Sequence, residues 1–191
     1  MKALVYTGPK QVEYLDFKDP SPTNGEFLVK ITNVGICGSD MHAYLGHDDR
    51  RPAPLILGHE ASGIIEEGEK KGESVVINPL VSCGEYHYCL DGRSNLCPKR
   101  QIISMPPRQG AFAEYITMSP KNLIPIPEGL TTTKAALAEP LATAWHAVLT
   151  ASRHSHRPLS ETKGLVIGAG AVGLGSALSL KAFGCKEVSI A

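Results

Sequence analysis

Residues 164–190 of the chain, GLVIGAGAVGLGSALSLKAFGCKEVSI, decide its fold class. The segment has an apolar run at 164–167, the pattern G-x-G-x-x-G at 168–173, an apolar stretch that extends to Phe183 and a second apolar run at 187–190. A glycine pattern between a strand and an apolar helix is typical of the first unit of a doubly wound parallel sheet. We therefore predict a strand at 164–167, a helix at 171–183 and a strand at 187–190, joined as a parallel βαβ unit.

The glycines of this pattern predict a dinucleotide-binding turn. Gly168 permits a tight turn, Gly170 lets a pyrophosphate approach the backbone, and Gly173 lets the helix pack closely on the strand. The first turn of the helix, which contains Ala171 and Val172, then offers free N–H groups to the phosphates.

A glycine-rich membrane span or a plain buried helix is the alternative interpretation of this segment. The uncharged run between Lys163 and Lys181 is 17 residues long, whereas a membrane span needs about 20 apolar residues. Dinucleotide binding is therefore the favoured interpretation. The acidic residue that binds the ribose hydroxyls normally follows about 20 residues after the glycines. The sequence ends at Ala191, where that residue is expected, so the pattern does not distinguish NAD from NADP.

Before Thr131 the sequence alternates short apolar runs with Gly and Pro turns, and this pattern is typical of a β barrel or sandwich. The predicted strands lie at 2–6, 11–17, 27–31, 64–65, 75–77, 112–118 and 123–126. After Thr131 the pattern becomes helical. We predict a short helix at 134–138, a break at Glu139 because Pro140 disfavours helical geometry there, and a helix at 140–150. The predicted domains are 1–155 and 156–191, and the fold class is α/β overall.

Composition excludes several classes of protein. The chain has 191 residues, 42% of them hydrophobic, and 19 basic residues balance 19 acidic ones. Such a chain is neither disordered nor basic enough to make nucleic acid its main partner. It opens with no apolar leader, and five cysteines without a leader favour a reducing compartment. We expect a cytoplasmic protein that does not bind membranes.

Potential metal ligands occur in two loops of the N-terminal region. Cys37 follows a predicted strand, and His59 and Glu60 follow the apolar run at 55–57. A thiolate, an imidazole and a carboxylate are ligands that zinc accepts. Taken singly, a cysteine is more often a small core residue, and the spacing alone does not show that the three meet.

Six motifs in a fixed order favour a metal-binding role for these residues over a purely structural one. They are 35–42 (GICGSDMH), 58–60 (GHE), 78–80 (NPL) with the cysteines after it, 110–115 (GAFAEY), 138–142 (AEPLA) and 168–173 (GAGAVG). Together they resemble the zinc-dependent medium-chain dehydrogenases of the alcohol dehydrogenase superfamily, and AEPLA resembles the polyol branch around sorbitol (L-iditol) dehydrogenase. The resemblance implies an N-terminal GroES-like β barrel followed by the start of a Rossmann domain. It also implies a small-molecule alcohol as substrate and a homo-oligomer, either dimer or tetramer.

The resemblance implies a ligand set for one catalytic zinc ion. Cys37 and His59 look like direct ligands. Glu60 and Glu139 are similar to the carboxylates that the family places at the metal or just behind it. Asp40 looks like the carboxylate that orients the ligating histidine.

The same resemblance implies a route for the substrate proton. Ser39 can take the proton through its hydroxyl, and His42 is placed to pass it to solvent. We therefore expect a zinc-dependent oxidoreductase that transfers hydride between a polyol or other secondary alcohol and NAD(P). Two alternatives stay open: a zinc-binding fragment without turnover of its own, and a zinc-free relative that kept the barrel.

The second cysteine cluster departs from the family pattern. The family's structural zinc lobe uses four cysteines, and here Cys83, Cys89 and Cys97 keep three positions while Tyr86 takes the remaining one. His87 could substitute if the loop bends. A structural zinc normally needs four closed ligands, so we predict a lobe without metal and regard the three cysteines as a weak second candidate site.

Overall fold

The structure, a computed structural model, describes residues 1–23 and 25–191. The strands are β1 Lys2–Gly8, β2 Gln11–Asp16, β3 Phe27–Gly35, β4 Leu55–Ile56, β5 Glu60–Ile65, β6 Ser74–Ile77, β7 Leu80–Val81, β8 Gln101–Ile102, β9 Tyr115–Met118, β10 Leu123–Pro125, β11 Lys163–Val166 and β12 Glu187–Ile190. The helices are α1 Gly38–Tyr44, α2 His87–Leu90, α3 Thr132–Ala135, α4 Ala138–Arg153 and α5 Ala171–Ala182. The chain divides into two compact units, Met1–Ala136 and Leu137–Ala191.

Antiparallel sheets form the first unit. In the described part of the chain, one sheet has the order β10-β6-β5-β3-β9, a second has the order β2-β1-β4, and β7 pairs with β8. β1 and β2, two of the predicted strands, form an antiparallel hairpin with Lys2 opposite Asp16 and Gly8 opposite Gln11. These sheets confirm the predicted β domain.

The core of the first unit lies against the larger sheet. Val29, Ile65, Val75, Ile77 and Met118 are each at most 1% exposed. Burying large aliphatic side chains in this way is the main source of stability for such a domain. The core fixes β5, and with it the position of Glu60 at the start of that strand.

The pairing of β3 with β5 contains one irregularity that matters for the site. Ile31 pairs with Gly63, but the next pairs are Asn33 with Ser62 and then Gly35 with Glu60, so the register shifts by one residue between Ile31 and Asn33. An extra residue of this kind is a β-bulge. It places Gly35 opposite Glu60.

The second unit contains the predicted βαβ segment. β11 and β12 pair in parallel, from Lys163 opposite Glu187 to Val166 opposite Ile190, and α5 connects them. The observed bounds agree with the prediction to within about one residue, which is the usual uncertainty at element ends. The start of a doubly wound parallel sheet is therefore confirmed.

The predicted helix break at Glu139 is wrong. α4 begins at Ala138, after Leu137, and continues to Arg153. Pro140 thus lies in the first helical turn. Backbone N–H groups there have no acceptor within the helix, so the N–H that proline lacks removes no helical hydrogen bond. Glu139 lies in the same turn, where a negative charge interacts favourably with the helix dipole.

The short helix before α4 also differs from the prediction. α3 spans Thr132–Ala135 rather than 134–138, because Thr131 caps it: the Thr131 side chain accepts a hydrogen bond from the Lys134 N–H. The compact units divide after Ala136, whereas the sequence prediction placed the domain boundary after residue 155. The two boundaries differ because α4 belongs to the second unit, where it packs against α5.

No helix in the described residues is long and apolar enough to cross a membrane. The glycine-rich segment that raised this question forms β11 and α5, and α5 extends over Ala171–Ala182.

Candidate metal and cofactor sites

Three potential metal ligands from two loops meet in the first unit. The sulfur of Cys37, a ring nitrogen of His59 and a carboxylate oxygen of Glu60 lie within 4.8 Å of one another. His59 and Glu60 are each 8% exposed, and Cys37 is partly buried. Sulfur, imidazole nitrogen and carboxylate oxygen are all zinc donors, and three protein ligands leave the fourth tetrahedral position open. The donor set therefore fits a zinc ion with one open coordination position.

The backbone turns just before the two adjacent ligands. Neighbouring residues of a regular strand point to opposite faces, so His59 and Glu60 could not both face one metal in such a strand. The turn occurs at Gly58, whose φ is +89°, and β5 begins only at Glu60. A Cβ at Gly58 would lie 2.7 Å from the Phe112 ring. A side chain is thus excluded at Gly58 both by its conformation and by its neighbour.

The Glu60 carboxylate occupies space that a glycine leaves free. A Cβ at Gly35, on the neighbouring strand, would lie 2.3 Å from Glu60 Oε2. The sequence motif contains Gly35, but its role in making room for a ligand follows from the pairing of β3 with β5 and is not visible in the sequence.

Asp40 connects the two ligand loops. It is buried on α1, and its carboxylate accepts hydrogen bonds from the Cys37 N–H at 3.0 Å and from the Gly58 N–H at 3.1 Å. Its Oδ1 lies 3.5 Å from His59 Nδ1. These contacts orient the histidine through Nδ1 and leave Nε2 as the nitrogen for a metal, as is usual for ligating histidines.

Burial and neighbouring charge shift the pKa values of Asp40 and His59 in opposite directions. Burial alone would raise the pKa of Asp40, but the hydrogen bond and charge of His59, with the N–H groups of Cys37 and Gly58, hold it below its ordinary value. Burial would likewise lower the pKa of His59, but hydrogen bonds and charges of Asp40 and Cys37 raise it to about 9. Both pKa shifts favour the charged forms of the two side chains.

The predicted proton relay lies on α1. Ser39 and His42 are three residues apart on this helix, so they lie on the same face. Ser39 is partly buried and His42 is exposed, which is the order of burial that a path to solvent requires. Their roles stay predictions.

Glu139 belongs to the second unit, in the first turn of α4. It is partly buried. Its role as a carboxylate at the metal stays a prediction.

The three cysteines of the lobe converge on one another. The Cys83 sulfur lies 3.8 Å from that of Cys89 and 3.4 Å from that of Cys97. Among the residues that the structure describes, no fourth Cys, His, Asp or Glu joins this group. The His87 ring instead lies beside the Tyr86 ring, with centroids 4.4 Å apart and planes tilted by 42°. Three thiols without a fourth donor do not fit a closed structural zinc site, so the prediction of a lobe without metal stands as a proposal.

A buried ion pair that sequence reasoning missed lies behind the metal candidates. Arg51 is 4% exposed, pairs with the Asp48 carboxylate, and donates from Nε to the Ser104 carbonyl oxygen at 3.0 Å. Asp48 also accepts two hydrogen bonds from the Arg50 side chain, at 2.8 and 3.0 Å, and one from the Arg50 backbone N–H at 3.1 Å. The hydrogen bond from Arg50, then the Arg50 N–H and Arg51, lower the pKa of Asp48 from 3.8 to about 2 against the effect of burial.

An Asp48→Asn variant is therefore expected to be less stable by about 1 kcal/mol at pH 7. Because the folded-state pKa of Asp48 lies below its unfolded value, its contribution is full above about pH 4 and is lost as the pH falls towards 2. The difference in the free energy of unfolding between wild type and variant should be constant from pH 7 to about 4.5 and smaller at pH 3. Urea unfolding at each pH measures it. Asp91→Asn, which removes an exposed pair with Arg93, is the control and should leave stability unchanged. A gap that is the same at pH 3 as at pH 7 contradicts the prediction.

The predicted dinucleotide turn has the required backbone. Gly168 has a φ of +98°, which only glycine adopts readily. A Cβ at Gly173 would lie 1.9 Å from the Gly168 carbonyl oxygen, whereas one at Gly170 would meet nothing within 4 Å. Gly170 caps α5, and Ala171 is its first residue. This open side of the turn lies at a helix N-terminus, which is where a phosphate group binds in such folds.

The fold and the site thus define a GroES-like β domain with a Cys-His-Glu group and an attached dinucleotide-type βαβ unit. Comparison with known families agrees: the alcohol dehydrogenase GroES-like domain matches residues 23–128. The chain belongs to this family, within the zinc-type medium-chain alcohol dehydrogenases.

The relatives include a sugar-acid and a sugar-alcohol dehydrogenase. The chain is 37% identical to L-galactonate-5-dehydrogenase of Escherichia coli over 98% of its own length and 55% of that protein. It is 36% identical to sorbitol dehydrogenase of Bacillus subtilis over 100% of its own length and 55% of that protein. Among solved structures, RspB of E. coli, in complex with NADH, has a TM-score of 0.88 and 34% identity over 100% of this chain and 56% of that one. The chain spans about half the length of the curated relatives it matches.

Proposed function

We propose that the chain is the zinc-binding and first cofactor-binding part of an oxidoreductase that interconverts a polyol or other secondary alcohol and its ketone with NAD or NADP. The observation that carries the proposal is the convergence of Cys37, His59 and Glu60 within 4.8 Å in a domain of the alcohol dehydrogenase family. Glu139 is proposed as a further carboxylate near the metal.

Cys37, His59 and Glu60 would hold the zinc ion, and Asp40 would keep the histidine oriented. A bound zinc ion supplies Lewis acidity that lowers the pKa of an alcohol, and a bound nicotinamide supplies the hydride acceptor. The chain's own contribution is to place these groups. Gly168, Gly170 and Gly173, with the N–H groups at Ala171 and Val172, would bind the pyrophosphate.

Ser39 and His42 would carry the proton of the substrate hydroxyl to solvent. The Ser39 hydroxyl accepts the substrate proton while its own proton passes towards the His42 imidazole, which is exposed. Such positioned proton transfer contributes about 10²–10⁴-fold to a rate.

Relatives guide the choice of substrate. Two of those named above are a sorbitol dehydrogenase and an L-galactonate-5-dehydrogenase, so sorbitol and L-galactonate lead the list, and 2,3-butanediol represents smaller secondary alcohols. We propose a homo-oligomer in the cytoplasm. The five cysteines are free thiols, which supports a reducing compartment.

A second candidate is a chain that binds zinc without turning over substrate. Exposed apolar side chains in the second unit favour this candidate. Leu165, Ile167 and Leu178 are each more than 60% exposed there. Apolar side chains exposed to this extent normally pack against further protein.

Metal analysis and an activity assay on the same purified chain test both candidates. Zinc is measured by elemental analysis after dialysis, and reduction of NAD⁺ and NADP⁺ is followed with the three alcohols. Bound zinc with turnover supports the dehydrogenase. Bound zinc without turnover supports the second candidate, and a chain without zinc contradicts both.

A further inference from the structure

Ser104 has an unusual backbone for a serine. It lies in the turn closed by the hydrogen bond from the Met105 N–H to the Ile102 carbonyl oxygen, and its φ is +65°. The third position of a turn with positive φ is one that glycine normally fills. Ser104 is also fully buried. A non-glycine residue held in this conformation points to a functional reason for its side chain.

A hydrogen bond from Arg51 holds the backbone of Ser104 in place. Its carbonyl oxygen accepts the hydrogen bond from Arg51 Nε at 3.0 Å, and Arg51 is itself held by Asp48. A glycine at this position would offer the same carbonyl. The contact with Arg51 therefore explains the turn but gives no reason for a serine in it.

The hydroxyl of Ser104 faces a proposed metal ligand. Ser104 Oγ lies 3.5 Å from His59 Nδ1, the same distance as Asp40 Oδ1. A histidine that binds metal through one nitrogen needs a hydrogen-bond acceptor for the proton on the other. Asp40 already accepts the N–H groups of Cys37 and Gly58, so Ser104 is a second oxygen available to His59 Nδ1.

We infer that Ser104 is a positioning residue that holds the His59 ring for metal binding through Nε2. The strained turn aims the hydroxyl at Nδ1, and the pair of Arg51 with Asp48 keeps the turn in place. This inference rests on the proposed zinc site and adds to it a residue outside the family motifs quoted above.

Two variants separate the hydroxyl from the backbone. Ser104→Ala removes the hydroxyl and keeps the strained φ, whereas Ser104→Gly removes the hydroxyl and relieves the strain. Metal-free wild type and variants are titrated with Zn²⁺ against a chelator and with Co²⁺, whose visible absorption reports the ligand geometry. Melting temperatures of the metal-free proteins are measured alongside.

Both variants are expected to bind Zn²⁺ about 10-fold more weakly, as is typical when a partner behind a ligating histidine is lost. The Co²⁺ spectrum should change in the same way in both, while Ser104→Gly melts at a higher temperature than Ser104→Ala. Ser179→Ala is the matched control: it removes another buried serine hydroxyl, which donates to the Gly175 carbonyl oxygen, and should bind metal like wild type.

Four results would count against the inference. Wild-type affinity in Ser104→Ala overturns it, as does an affinity that follows the melting temperature across the variants. If Ser104→Ala does not fold, wild-type affinity and an unchanged Co²⁺ spectrum in Ser104→Gly overturn it equally. A wild-type chain that binds neither metal overturns the proposed zinc site and this inference together, whereas wild-type binding with unaffected variants overturns the inference alone.

Discussion

A Cys37→Ser variant is expected to lose its zinc. The wild-type chain should hold about one zinc ion, because the Cys37 group has three convergent donors, whereas the group of Cys83, Cys89 and Cys97 has no fourth donor among the described residues. A serine hydroxyl keeps its proton near neutral pH and is a poor replacement for a thiolate, so two donors remain. Affinity should fall by more than about 100-fold, since even partners behind the ligands are worth 10–100-fold. Elemental analysis after dialysis against a weak chelator measures the loss, and any turnover should be lost with the metal.

Cys185→Ser is the matched control for this experiment. Cys185 is a buried thiol in the second unit, and its S–H donates to the Thr162 carbonyl oxygen at 3.3 Å. This variant should keep its zinc. Zinc retained by Cys37→Ser would refute the assigned site. A wild-type content of about two ions per chain would show that the lobe with Cys83 is filled.

Gly110→Ala should be the most destabilising of the substitutions considered. A Cβ at Gly110 would lie 2.2 Å from the Leu57 carbonyl oxygen and 2.6 Å from that of Ile56. These are backbone atoms, and the Gly110 N–H donates to the Ile56 carbonyl oxygen at 2.7 Å, so neither segment can move without losing this contact. We expect a loss of about 3 kcal/mol. For a chain of this size, that lowers the melting temperature by about 10 °C, as followed by circular dichroism of the metal-free protein.

Gly8→Ala is the control for added volume at a glycine. A Cβ there would lie 3.7 Å from the Gln11 side chain, an ordinary contact. Its melting temperature should stay within about 2 °C of wild type, since substitutions without a specific clash change stability little. Equal melting temperatures for Gly110→Ala and wild type would mean that the segment before His59 adapts more easily than its contacts indicate.

Local patterns in the sequence predicted the βαβ unit well. Its strand, turn and helix each depend on neighbouring residues: an apolar run, glycines that permit the turn, and an apolar helix behind them. The prediction for α4 was wrong because it treated Pro140 as a break. Proline disrupts a helix interior, but the first turn tolerates it, and where a helix begins depends on tertiary packing as well as on local rules.

The metal candidates could be predicted only in part. Cys37 and the pair His59 and Glu60 occur in recognisable motifs, but their meeting depends on how α1 and β5 are placed by the core. Ser104 and Arg51 belong to no local pattern. They meet across 53 residues of sequence, and no periodicity or spacing encodes such a contact.

The bulge in β3 has a consequence for how the site tolerates insertions and deletions. With an unbroken register from the pair of Ile31 and Gly63, the residue opposite Glu60 would be Val34 rather than Gly35. An isopropyl group would then occupy the place of the carboxylate, since even a single Cβ at Gly35 would lie 2.3 Å from Oε2. The room for the Glu60 carboxylate therefore depends on the pairing register of a strand that carries no ligand itself. A one-residue deletion at Thr32 would remove the bulge and still leave Gly35 opposite Glu60, so the site is expected to tolerate loss of the extra residue but not a straightened strand that keeps it.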